Sequence, residues 1–258
     1  MDGHSYARII LATLGAGAMV AVGGWGYYTL HLSQVLPGYP FLTAQNQLGC
    51  TVLPYTGTTS LKEIPSYIPG DADLRGGMQC TFLVHPDLPA FGLHFTGMAD
   101  NTLGNIIVTE GSNTSPIQTI ESSTSYDSTL TKAQNTPTVV DANFDGYQDL
   151  RVLNECGATG NCTYNFYLYD PTTHQFVRNA FLSSLGSPSF DAASKKVTAS
   201  WHSSAGDSEN DTFEYASGHY SLVQRVVSVW NEDNTVTVRT YVLAGGKMKL
   251  ENSSTTPL

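Results

Sequence analysis

The chain has 258 residues, 41% of them apolar and 10% aromatic, enough to bury a sizeable core in one large domain or two ordinary ones, which excludes a wholly disordered chain. Twelve Lys+Arg against 22 Asp+Glu leave a formal charge of −10, which repels phosphate backbones and anionic headgroups, so no nucleic acid is expected as a partner. Charged residues make up 13%, about half the ordinary ~25% share, while Ser, Thr, Asn and Gly abound, a composition of short strands joined by many turns.

Ile9 to Leu30 carries no formal charge over 22 residues, and as a helix it would extend about 33 Å, enough to cross a bilayer. Arg8 is the only basic residue before Lys62, so the positive-inside bias puts the N-terminus in the cytoplasm and everything after Leu32 outside. Trp25, Tyr27 and Tyr28 fall where an aromatic belt meets the outer headgroups. An uncleaved anchor in the inner membrane through residues 9–30 is the preferred reading of segment 1–32. A cleaved signal peptide with Ala16-Gly17-Ala18 as its processing site, or a buried core helix, is the alternative. Either export route delivers the working part to the periplasm.

Residues 33–70 hold Pro37, Pro40, Pro54, Pro65 and Pro69, so a turn-rich lead-in is expected there. Cys50, Cys80, Cys156 and Cys162 all lie in the exported part, and an even count there fits a disulfide set. Three pairings are possible, and the one that closes the short Cys156–Cys162 loop leaves Cys50 for Cys80. No CxxC spacing or nearby His supports zinc instead.

From 71 onward, short apolar runs alternate with Gly, Asn, Asp and Ser clusters. Strands are predicted at Cys80–His85, Gly92–Thr96, Ile106–Thr109, Pro116–Ile120, Val139–Val140 and Leu150–Leu153. In the second half they are predicted at Asn165–Tyr169, Gln175–Arg178, Lys196–Trp201, Thr212–Tyr215, His219–Val229 and Thr235–Leu243. Only Ala180–Leu185 suggests a helical turn. The expected fold is all-β over 71–251, β-propeller-like with a β-sandwich as the alternative, followed by a frayed tail at 252–258.

The strongest motif is Asp141-Ala-Asn143-Phe-Asp145-Gly146-Tyr147-Gln-Asp149. Calcium takes six to eight oxygen ligands, so alternate side chains at Asp141, Asn143, Asp145 and Asp149 can wrap the ion, Gly146 allows the reversal, and the carbonyl of Tyr147 supplies one more ligand. Val152 stands where a helical EF-hand has its bidentate Glu, and both flanks are strand-like, so this loop joins strands. The plainer alternative is an Asx-turn hairpin with solvated carboxylates. A structural calcium is the expected cofactor.

Asp141 to Leu153, with Gly160-Asn161-Cys-Thr-Tyr164-Asn-Phe-Tyr-Leu-Tyr-Asp170 and His174-Gln-Phe176-Val177, resembles the FG-GAP-type calcium loops of propeller proteins. More closely, residues 137–230, through Phe190 to Val197 and Tyr215 to Val223, resemble bacterial periplasmic immunity proteins. These protect against lysozyme-like, peptidoglycan-cleaving effectors delivered by type IV secretion. The resemblance implies a calcium-bearing, propeller-like inhibitor that plugs the cleft of such a hydrolase from the envelope of the protected cell. Family members commonly carry a lipoprotein Cys; here none precedes Cys50, so a membrane helix takes its place.

A cleft built for sugar rings, with acidic catalytic groups, is plugged by polar donors and an aromatic on a rigid tip. The Cys156–Tyr164 segment offers small Gly157, Ala158 and Gly160, and Gly160, Asn161, Thr163 and Tyr164 are the expected partner contacts. The alternative is an ordinary turn with Tyr164 packed on a neighbouring strand. No catalytic residues are expected, because HExxH, GxSxG, GxxxxGK[ST] and GxGxxG do not occur and His85, His94, His174, His202 and His219 are dispersed. The two other functional readings are a calcium-stabilised adhesion or glycan-binding module, for which Trp201 and Trp230 would line a sugar platform, and a glycan hydrolase with an unrecognised carboxylate pair.

Overall fold

The computed structural model describes residues 18–21, 27–30, 48–63, 73–122, 137–157, 159–204 and 206–257. The chain divides into two compact units, Met1–Gln47 and Leu48–Leu258. In the first, β1 (Ala18–Ala21) and β2 (Tyr27–Leu30) pair antiparallel, with Ala18 opposite Leu30. These eight residues lie inside the segment expected to form one membrane-crossing helix and are strands instead, in keeping with the strand preference of Val20, Tyr27, Tyr28 and Thr29. The rest of 9–30 lies outside the described residues. No helix among the described residues is long and apolar enough to cross a membrane.

The described residues of the second unit form three antiparallel sheets. The first runs in chain order through β3 (Gly49–Val52), β4 (Met78–Phe82), β5 (Phe91–Gly97), β6 (Leu103–Glu110) and β7 (Gln118–Ile120). The middle sheet comprises β8 (Thr138–Val140), β9 (Asp149–Cys156), β10 (Cys162–Asp170) and β11 (Gln175–Arg178). One helical turn, α1 (Ala180–Ser183), follows, capped by Asn179 Oδ1 accepting the Leu182 N–H at 2.9 Å. The third sheet holds β12 (Ser189–Asp191), β13 (Lys196–His202), β14 (Ser208–Ala216), β15 (His219–Trp230), β16 (Thr235–Ala244) and β17 (Lys247–Pro257). All-β is the class the sequence predicts. Equal propeller blades are not what these sheets make, since they carry five, four and six strands. Residues 252–257, expected to fray, pair with β16 out to Pro257 opposite Thr235.

The middle sheet is buried on both faces, and the alternation along β10 explains how. Tyr167 and Tyr169 join Phe82, Phe91, Leu93, Phe95 and Phe176 in one core, while Tyr164, Phe166 and Leu168 point the other way, toward Leu182, Val197, Ala199 and Phe213. The run Tyr164-Asn-Phe-Tyr-Leu-Tyr169 is thus a nearly unbroken apolar stretch because each side chain has a sheet to cover it. Both disulfides form between residues directly opposite in the ladders, Cys50–Cys80 across β3 and β4 and Cys156–Cys162 across β9 and β10. Disulfides persist in oxidising compartments, so this covalent framework suits an exported protein.

Candidate functional site: an acidic loop and a disulfide-closed tip

The loop between β8 and β9 folds around its own carboxylates. Asp141 Oδ1 accepts the Asp145 N–H at 3.0 Å and its Oδ2 accepts the Gly146 N–H at 3.0 Å. Asp145 Oδ1 accepts the Tyr147 N–H at 2.9 Å, and Asn143 Nδ2 donates to Asp145 Oδ2 at 2.8 Å. Gly146 sits at φ +93°, a backbone shape that costs a glycine little and lets the chain reverse. These Asx-type bonds wind Asp141, Asn143 and Asp145 into one turn, as their spacing predicts.

Asp149 has a different task. Its side chain is fully buried, and its two oxygens accept the N–H groups of Ala142, at 2.8 Å, and of Tyr169, at 2.9 Å. Of the five residues expected as ligands, it is the one that is fully buried and bonded outside the turn, clamping the loop to β10. The loop also reaches the other sheets. Gln148 donates its N–H to the carbonyl of Val84 at 2.8 Å, beyond β4, and the Tyr220 hydroxyl on β15 donates to the carbonyl of Ala142 at 3.1 Å. Tyr147 packs against the first core, its ring tilted between those of His85 and Tyr169 at centroid distances of 4.8 and 5.5 Å, while Ala142 and Phe144 belong to the second. One nine-residue loop therefore ties three sheets together. Tyr169, Tyr220 and Val84 carry no motif that would have marked them as its anchors.

The loop gathers three acidic side chains in and beside one turn. Burial pushes the Asp149 carboxyl up to about 8 against the lowering effect of its two N–H partners, and the negative Asp145 and Asp141 push the same way. Burial likewise raises Asp141. None of these three acids has a Lys, Arg or His ion-pair partner among the described residues. Nor do three acidic, His or Cys side chains among the described residues converge as a ready metal cage. The donor set is instead mixed: carboxylates of Asp141 and Asp145, the Asn143 amide oxygen and the Tyr147 carbonyl, all hard oxygens of the kind calcium takes. On donor chemistry, these residues fit a hard divalent cation.

The second feature is the turn between β9 and β10, closed at its base by Cys156–Cys162. Gly157, Thr159 and Gly160 are exposed, and Gly160 adopts φ +81°. Asn161 is engaged within the molecule. Its Nδ2 donates to the carbonyl of His202 and its Oδ1 accepts the His202 N–H, both at 2.8 Å, so the tip is pinned to the end of β13. Thr163 accepts a hydrogen bond from Asn154 Nδ2 at 3.1 Å. Tyr164 is half-buried against the second core, with the Arg151 guanidinium 4.8 Å from its ring centre. Trp201 is half-buried beneath Gly186 and Trp230 is exposed, near the same end of the third sheet but not as one platform.

No protein family matches the chain and no curated protein matches it. Among solved structures, a Xanthomonas type IV secretion system related protein is similar over 69% of this chain and 94% of its own length, at 20% identity and a TM-score of 0.49.

Proposed function

We propose that the chain is an exported binding protein of the cell envelope that inhibits a lysozyme-like peptidoglycan hydrolase without turning over substrate itself. The observation that carries this reading is the tip 157–161, exposed at Gly157 and Gly160 yet fixed by a disulfide at its base and by two hydrogen bonds between Asn161 and His202. A segment held this way loses little conformational freedom on binding, which favours affinity. Gly157 and Gly160 carry no side chain to bar the approach, so the exposed Thr159 hydroxyl can reach catalytic carboxylates in a groove sized for a sugar chain. Gly160 is the contact at the tip, Asn161 fixes its direction, and Thr163 and Tyr164 form its flank.

Calcium supplies the counter-charge that the acidic loop lacks. Asp141, Asn143, Asp145 and the Tyr147 carbonyl would hold it, and Asp149 orients the loop from behind. Its role is structural: the ion steadies the junction of the three sheets at the start of β9, the strand whose far end carries the tip, and binding to the folded form alone stabilises that form by mass action.

The test is to mix the purified full chain with egg-white lysozyme and read complex formation by size-exclusion chromatography, with release of reducing ends from peptidoglycan by the chain alone as a control. A one-to-one complex and no reducing ends are expected. Separate elution would overturn the inhibitor reading, and reducing ends lost on a single carboxylate change would favour the hydrolase.

A further inference from the structure

The register of the third sheet gathers several chain segments at one end. His202 at the end of β13 lies opposite Ser208 at the start of β14; Trp230 at the end of β15 lies opposite Val236 near the start of β16; and Pro257 lies opposite Thr235. Through Asn161 and His202 the disulfide tip joins the same end. The three turns collected there, 157–161, 203–207 and 231–234, contain no Lys or Arg, but they contain Asp207, Glu232 and Asp233. This end of the molecule is therefore acidic.

Trp230 stands within it. The side chain is 55% exposed, high for the largest hydrophobic residue, yet it is not loose. A side chain at Gly206 would collide with the indole, so the bare backbone of that turn lies directly against the ring. The Trp230 N–H donates to Asp207 Oδ1 at 3.0 Å, which fixes turn and strand to each other. An exposed, preorganised aromatic rimmed by charge is the arrangement from which interfaces draw most of their binding energy.

We infer that the acidic end of the third sheet, with Trp230 as its aromatic anchor, is a docking surface for a basic protein, continuous with the tip 157–161 and engaged by the same partner. The inference rests on the inhibitor reading and adds the wider contact. The occupant follows from charge complementarity: an acidic patch on a chain of charge −10 attracts a positive surface, and an enzyme that works on an anionic wall polymer gains by presenting one.

The experiment titrates egg-white lysozyme with the full-length wild type, with Trp230→Ala and with the double variant Glu232→Lys/Asp233→Lys, at low and high salt, using biolayer interferometry. Trp230→Ala is expected to weaken binding about tenfold or more with an unchanged melting temperature. The double variant is expected to slow association several-fold, by an amount that shrinks as salt rises. Wild-type affinity in both variants would overturn this surface and leave the tip reading standing, whereas no binding by the wild type would overturn both. Chitin-oligosaccharide binding that Trp230→Ala abolishes, with lysozyme affinity untouched, would assign the tryptophan to glycan instead and overturn the inference.

Discussion

The Asp149 carboxylate accepts the backbone N–H of Tyr169 at 2.9 Å, 20 residues further along the chain, while its other oxygen holds the N–H of Ala142. One side chain thus satisfies two buried donors that no strand ladder reaches. Asp149→Ala strands both, and the expected cost is about 3 kcal/mol in urea denaturation. Asp149→Asn keeps an acceptor and the volume, and in cation-free protein near neutral pH it replaces a carboxyl that burial has pushed up to about 8, so it is expected to cost about 1 kcal/mol. Equal losses for the two variants would contradict the clamp.

Calcium should stabilise the chelator-treated protein. At a concentration 100-fold above the dissociation constant the gain is about 2.7 kcal/mol, which for a domain near 200 residues is a rise of about 5–10 °C in melting temperature. Asp145 is exposed and makes its hydrogen bonds only within the loop, so Asp145→Ala should abolish the calcium-dependent rise while leaving the cation-free melting temperature within about 2 °C of wild type. A calcium response that survives this variant would move the ion elsewhere.

The two disulfides should differ in their contribution. Cys50–Cys80 spans 30 positions and Cys156–Cys162 only 6. The loop-entropy relation gives losses of about 4 and about 2 kcal/mol respectively when each pair is replaced by serines. Denaturation midpoints of the two double variants check the order, and the reverse order would contradict the entropic account.

Acid sensitivity has a defined source at Asp73. Its carboxylate accepts hydrogen bonds from Arg75 Nε at 2.8 Å and Nη2 at 2.7 Å, and those bonds hold it below the usual carboxylate range. Arg75 is itself buried, with Nη1 donating to the Thr59 carbonyl and its guanidinium 3.9 Å from the centre of the Tyr55 ring. A carboxylate depressed in the folded state contributes stability that is complete above its unfolded pKa near 4 and is lost as pH falls through the lower folded value. The stability gap between wild type and Asp73→Asn should therefore be constant above about pH 5 and close below about pH 4. A gap that persists at acid pH would show that packing, not charge, holds Arg75.

The acidic loop was legible because its pattern is contiguous: alternate Asp and Asn around Gly146 can be read without knowing the fold. Most strands were legible for the same reason, and Gln175–Arg178 has the bounds expected. Five strands were not read, β1 and β2 because their uncharged run reads as a single helix. β3 lies among prolines, β12 is three residues long, and the end of β17 is a run of Ser and Thr whose pairing comes from β16 rather than from its own apolar content. The roles of Asn161 and Tyr164 depend on distant partners, His202 and Arg151, that spacing cannot reveal. The same holds for Trp230, whose neighbour Gly206 is brought to it by a hairpin.

The most direct measurement is the rate of peptidoglycan lysis by a lysozyme-like enzyme as the full chain is titrated in, for the wild type and for Cys156→Ser/Cys162→Ser. The wild type should suppress lysis with an end point at one chain per enzyme, and the opened tip should raise the half-inhibiting concentration about tenfold or more while the protein stays folded. An undiminished lysis rate at several-fold molar excess of the wild type, or equal inhibition by the opened variant, would contradict the account.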